Sequence, residues 1–126
     1  MQCPLCEAIG QRKLLVETGH AVAMGDAWPL TLGHTLVVPR RHEADFFALT
    51  EEEMGAVIAV ASRVKVLLSE RHQPDGYNVG VNVGEAAGQT IAHAHLHVIP
   101  RYRGDVPDPR GGVRWIIPSK AAWWTS

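Results

Sequence analysis

Apolar residues along this chain follow two periods, one of two residues and one near 3.6, and the switches between them outline its elements. Residues 14–17 and 21–24 are short apolar runs flanking Thr18-Gly19-His20, which predicts two short strands joined by a turn. Residues 26–33 are broken by Pro29 and Gly33 and predict a loop. The β-branched run from His34 to Val38 predicts a central strand, stopped by Pro39 and followed by the polar turn Arg40-Arg41-His42. Thr50 with Glu53 three residues later is a capping box, and Glu51, Glu52 and Glu53 suit the positive end of a helix dipole. Met54, Val57, Ile58, Ala61, Val64 and Leu68 then recur at helical spacing, which predicts a helix to about residue 71 with that stripe as core. Gln73-Pro74-Asp75-Gly76 ends the helix, residues 77–83 alternate as a strand, and 84–88 form a loop. The fold class that follows is α+β: an antiparallel sheet of about five strands, with one long helix and a short one.

Chemistry concentrates in residues 89–101, Gln-Thr-Ile-Ala-His-Ala-His-Leu-His-Val-Ile-Pro-Arg. His93, His95 and His97 stand at i, i+2 and i+4, a spacing that in a strand lines three imidazoles along one face while Ala94, Leu96 and Val98 face a core. Imidazole titrates near neutrality, so such a row can supply nucleophile, acid/base and phosphate donor. A surface strand that merely carries histidines, or a metal-binding row, are the competing readings.

Composition narrows the class. The 126 residues suit one domain, 46% hydrophobic and 20% charged, and the formal net charge of −1 gives no general attraction for nucleic acid or an anionic membrane. No apolar run approaches the roughly 18 residues that span a bilayer. The start, Met1-Gln2-Cys3-Pro4, has no secretory pattern, so a cytoplasmic address is expected. In a reducing compartment Cys3 and Cys6 read as a metal half-site or a redox pair sooner than as a disulfide. A thioredoxin-like motif would need a preceding strand. After residue 103 the Gly- and Pro-rich segment 104–126 predicts an extended tail, packed on the domain or on a partner subunit, because Trp115, Trp123 and Trp124 are too apolar for solvent.

The intact His-Ala-His-Leu-His strand, Gly88-Gln89-Thr90 before it, and Gly33-His34-Thr35-Leu36 about sixty residues earlier resemble the histidine triad (HIT) superfamily of nucleotide hydrolases and transferases. The resemblance runs from about Cys3 to Arg103, and Thr90 and the tail are similar to its fragile-histidine-triad, dinucleoside-polyphosphate-cleaving side. Galactose-1-phosphate uridylyltransferases, with glutamine at the third histidine, are not matched, because His97 is present. The resemblance implies a nucleotidyl hydrolase acting at an α-phosphate through a covalent nucleotidyl-histidine, with His95 as nucleophile and His97 bonding the phosphate. His93 and His34 would position His95, although His34 also reads as a buried structural histidine. Gln89 and Thr90 would donate to the phosphate, Asn82 would face it, and Asp26 would take the ribose hydroxyls. Met24, Ala27 and Leu30 are expected as apolar pocket walls. A nucleotide-binding module with little turnover, and a transferase to an acceptor other than water, remain the alternatives.

Zinc-bearing members of that superfamily further imply a structural Cys2His2 site of Cys3, Cys6, His42 and His93, with His93 then confined to positioning. Two thiols without metal, with His42 as a surface turn residue, is the competing reading. No catalytic cofactor is expected. A homodimer is implied, in which a crossing tail would bring Arg103, Arg110 or Arg114 near the partner's phosphate site.

Overall fold

The computed structural model describes residues 2–125. Its strands are β1 (Val16–Glu17), β2 (Ala21–Gly25), β3 (Thr35–Pro39), β4 (Gly76–Val81) and β5 (Leu96–Arg101), all antiparallel in the order β1-β2-β3-β5-β4. Helices α1 (Pro4–Gln11) and α2 (Glu51–His72) sit on opposite faces. Central strands β2 and β3 are buried on both faces, which is why their sequences are almost wholly apolar.

Two core layers follow from the strand alternation. Ala21, Ala23, Val37, Leu96 and Val98 face α2, whose buried stripe is Val57, Val60, Val64 and Leu68. Val22, Met24, Leu36 and Val38 face the other way and pack on Leu5 and Ala8 of α1. The helix stripe is thus rotated from the expected one: Val60 replaces Ile58, which is 52% exposed, and Met54 is only partly buried. Both stripes satisfy helical spacing, and packing against the sheet residues Ala21, Ala23, Val37, Leu96 and Val98 selects the one with Val60. Met24 is fully buried between layers, so it is a core residue and forms no pocket wall.

Helix α2 starts as its capping box requires: Glu53 N–H donates to Thr50 Oγ1 at 3.0 Å, and Thr50 N–H donates to the Glu53 carboxylate at 2.9 Å. Arg41 adds two bonds to Glu53, each 2.9 Å, and together these hold the Glu53 carboxyl down at about 2. The pair ties the start of α2 to the turn that carries His42.

Two expectations need correction. The histidine segment is a strand only from Leu96, because residues 91–95 leave the sheet and Ala94 N–H donates to the Glu43 carbonyl at 2.7 Å. The tail is not extended either. It folds into short helical turns at Gly112–Ile116, Pro118–Ala121 and Trp123–Thr125. Gly111 and Gly112 take positive φ to allow this, and Arg114 donates to the carbonyls of Lys120 and Ala121. The tail lies on its own sheet, where a Cβ on Gly112 would stand 3.1 Å from Asn78 Nδ2.

Candidate active site and metal site

Gly33 sets the first catalytic candidate. Its φ is +92°, and a Cβ there would meet His72, Leu68 and Pro100 at 3.0–3.3 Å, so only glycine lets the loop enter β3 this closely. His34 follows, 4% exposed. Register then does the rest: Leu36 pairs with His97, which brings two histidines 63 positions apart side by side.

The hydrogen bonds fix the tautomers. Leu30 N–H donates to His34 Nδ1 at 3.0 Å, and an amide can only donate. Burial pushes His34 below the ordinary imidazole range despite the Asp26 carboxylate, so the ring is neutral at pH 7 and its proton sits on Nε2. That Nε2–H donates to His97 Nδ1 at 2.9 Å. His97, also pushed down by burial and by His95 and His34, is neutral and must carry its own proton on Nε2. His95 is set the opposite way. Its Nδ1 lies 2.8 Å from the His93 carbonyl, which can only accept, so Nδ1 holds the proton and Nε2 has a free lone pair. Among the described residues no buried side-chain nitrogen or oxygen lacks a partner, and neither Nε2 of His95 nor of His97 has one, so both edges are open to solvent. With ring centroids 5.2 Å apart, the neighbouring rings offer one nucleophilic edge and one donor edge.

Asp26 stands behind the pair. Its Oδ1 accepts from Trp28 N–H at 2.8 Å and its Oδ2 lies 3.4 Å from His34 Nε2 and 4.0 Å from His97 Nδ1. This triangle has the donor types of a metal site. The Leu30 amide argues against that use, because a neutral His34 bound to metal through Nε2 would need a proton on the Nδ1 that faces Leu30 N–H.

The second cluster has no such conflict. Ligand atoms of Cys3, Cys6, His42 and His93 all lie within 4.8 Å of one another, with Cys3 Sγ and Cys6 Sγ each 3.5 Å from His93 Nδ1 and Cys6 Sγ 3.3 Å from His42 Nδ1. Tetrahedral zinc with bonds of 2.0–2.3 Å spaces its ligands about 3.3–3.8 Å apart, so the cluster fits that ion. His93 Nε2 donates to the Pro39 carbonyl at 2.8 Å, which leaves Nδ1 bare toward the thiols. His93 belongs to this cluster, and what it lends His95 is its backbone carbonyl.

Other candidates fall elsewhere. Asn82 lines the same cleft as His97. Gln89 is fully engaged as a brace: its amide donates to the carbonyls of Ala44 and Ile91 and accepts from Gly84 N–H. Thr90 is exposed beside it, in a groove with Ala44 and Glu85 that includes no histidine. Leu30 borders the His97 cleft, whereas Ala27 is exposed outside it. Arg110 pairs with Asp108 and stacks on Trp124, and Arg114 caps the tail helix, so both are engaged within their own chain, whereas Arg103 lies 3.8 Å from Asp75 with 89% of its side chain exposed. The Leu30 amide and the His93 and Pro39 carbonyls carry no side-chain signal and had no signature in the sequence.

A family model for the HIT domain matches residues 10–104, and the chain belongs to the HIT family, part of a superfamily of nucleotide-binding proteins and hydrolases. An uncharacterized HIT-like protein of Mycoplasma genitalium is 41% identical over 68% of this chain and 61% of its own, so the chain spans about three fifths of that relative. The nitrilase and fragile histidine triad fusion protein of Caenorhabditis elegans is 34% identical over 75% of this chain and 22% of its own. The crystal structure of a zinc-bound histidine triad family protein from Mycobacterium smegmatis is 31% identical, covering 99% of this chain and 97% of that one, with a TM-score of 0.75.

Nitrogen NMR at pH 7.5 should find His95 protonated at Nδ1 and His97 at Nε2; the reverse assignment for either ring would break the relay. Because His34 and His97 titrate below the unfolded value of about 6.5, the unfolded chain binds more protons under acid. Their contribution to stability is therefore complete above about pH 6.5 and is lost as pH falls toward their folded pKa values. Urea titrations across pH 4–8 should show that loss reduced in His97→Asn.

Proposed function

We propose that this chain is a nucleotidyl hydrolase that cleaves at the α-phosphate of dinucleoside polyphosphates or other adenylated small molecules. The observation that carries this is the opposed setting of His95 and His97, a bare Nε2 beside an Nε2–H. The His95 Nε2 lone pair attacks phosphorus, and the bond to the leaving group breaks with its electron pair. Positive charge left on the ring is stabilised by Nδ1–H donating to the His93 carbonyl. His97 Nε2–H meets the phosphate oxygen as negative charge grows, with Asn82 beside it. Water then attacks phosphorus, the imidazole recovers its lone pair, and the two water hydrogens balance the leaving group and the released nucleoside monophosphate. Asp26 keeps 14% of its side chain exposed, and we assign that carboxylate edge to the ribose hydroxyls. Gln89 acts by bracing the loop, and Thr90 opens onto a separate groove, so the phosphate donors proposed here are His97 and Asn82. Replacing His95 by glycine should lower kcat at least a thousandfold, in line with loss of a nucleophile, while nucleotide binding persists. Activity within about tenfold of the parent would remove His95 from that role.

Zinc is assigned to Cys3, Cys6, His42 and His93, where it would staple α1 to the segment that carries the His93 carbonyl. The spacing and donor set support this, as does the zinc-bound relative. Untagged protein should contain about one zinc per chain, and Cys3→Ser/Cys6→Ser should lose it with a lower Tm. Metal-free protein of undiminished Tm would overturn the assignment.

A homodimer is also proposed, now through β4 and α2 and without a crossing tail. β4 is an edge strand with Val79 exposed, and α2 exposes Ile58 and Val66. Light scattering at micromolar concentration should give twice the chain mass; a monomer refutes it.

A further inference from the structure

Beyond His97 lies a cleft of about 570 Å³ that the tail closes on one side. Leu30, Val81, Ile99, Val113, Trp115 and Ile116 form its apolar walls, Asn78, Asn82 and His97 are its polar lining, and no lysine, arginine, aspartate or glutamate lines it. The volume suits one small organic group. Trp115 is pre-positioned: its indole N–H donates to the Arg110 carbonyl at 2.7 Å, while 42% of the residue stays exposed. Arginines close to this region are already engaged. Arg101 makes two bonds of 2.7 Å to Asp105 and a third to Asn78, and Arg114 is spent on the tail carbonyls.

Resting on the hydrolase reading above, we infer that this cleft receives the leaving group, and that this group is a single uncharged aromatic moiety attached directly to the α-phosphate. Two chemical points lead there. A ribose diol is best held by a carboxylate. Asp26 is the carboxylate beside the histidines and stands outside this cleft, so the nucleoside half lies on its side and the other half enters the cleft. A chain of further phosphates entering here would find only the neutral donors Asn78, Asn82 and His97 among mostly apolar walls, with no cation to offset their charge. An aromatic ring meets the Trp115 face and the aliphatic walls instead. Trp115 is a specificity residue, and of the two substrate classes proposed above the adenylated aromatic compound fits better than the dinucleoside polyphosphate.

The test separates recognition from turnover. Calorimetry on the full chain, in magnesium-free buffer, compares the phenyl ester of adenosine 5′-monophosphate with its methyl ester and with diadenosine triphosphate. The phenyl ester should bind about tenfold tighter than either, the scale of one aromatic stacking contact. Trp115→Ala should reduce the phenyl-to-methyl ratio to below about threefold. Ile116→Lys, at a position 80% exposed and so tolerant of charge, should raise affinity for the triphosphate about fivefold or more. Equal or tighter binding of the triphosphate by the parent chain overturns the inference. So does a ratio unchanged in Trp115→Ala, a triphosphate affinity unmoved in Ile116→Lys, or no detectable binding of the phenyl ester. If binding follows the expected order but none of the three compounds is hydrolysed, the hydrolase reading falls and the cleft's preference stands.

Discussion

Everything at the site depends on the register of β3 against β5. Leu36 faces His97 and Val37 faces Leu96, and this pairing alone brings the loop before β3 to the histidine segment. Side chains alternate across a strand, so a slip of one residue would turn His97 toward α2 and Leu96 toward solvent. The two apolar layers oppose that slip, because Leu96 and Val98 belong to one core and Leu36 and Val38 to the other. Hydrophobic burial therefore fixes a hydrogen-bond geometry that no local interaction could hold.

From that register two polar clusters grow, one at each end of β3. Just before its start, His34 donates its Nε2–H to His97 Nδ1. Past its finish, the Pro39 carbonyl and His42 receive His93. His93 and His95 are two residues apart yet serve different clusters, and the His93 carbonyl connects them. Ordering the Cys2His2 cluster would thus stiffen the acceptor that sets the His95 tautomer, a structural role with a direct consequence for nucleophilicity. Arg41 and Glu53 brace the same end by tying the His42 turn to the start of α2.

The tail gives the site its other wall. It is built from backbone that glycines at positive φ allow to double back, with Arg114 satisfying the carbonyls of its short helix. The result places Trp115 and Ile116 beside His97, in a cleft that has hydrophobic area and no charge. Of the arginines that looked available for phosphate, Arg110 is engaged by Asp108 and Trp124 and Arg114 by tail carbonyls, while Arg103 faces solvent.

The sequence by itself determined the sheet, the long helix with its capping box, and the histidine and cysteine sets, because period-two and period-3.6 patterning and donor chemistry are written in side chains. It fell short wherever backbone or packing decided. Ile58 and Val60 both satisfy helical spacing, and only packing of α2 against the sheet decided that Val60 is buried and Ile58 exposed. The alternating histidines looked like one strand row, but Ala94 N–H bonds Glu43 rather than a strand partner, so the row divides before Leu96. Gln89 has the right chemistry for a phosphate donor, yet three backbone groups, of neighbouring Gly84 and Ile91 and of distant Ala44, claim its amide. Which proton each imidazole carries rests on the Leu30 amide and the His93 carbonyl, groups that every residue type offers and that only tertiary structure can aim.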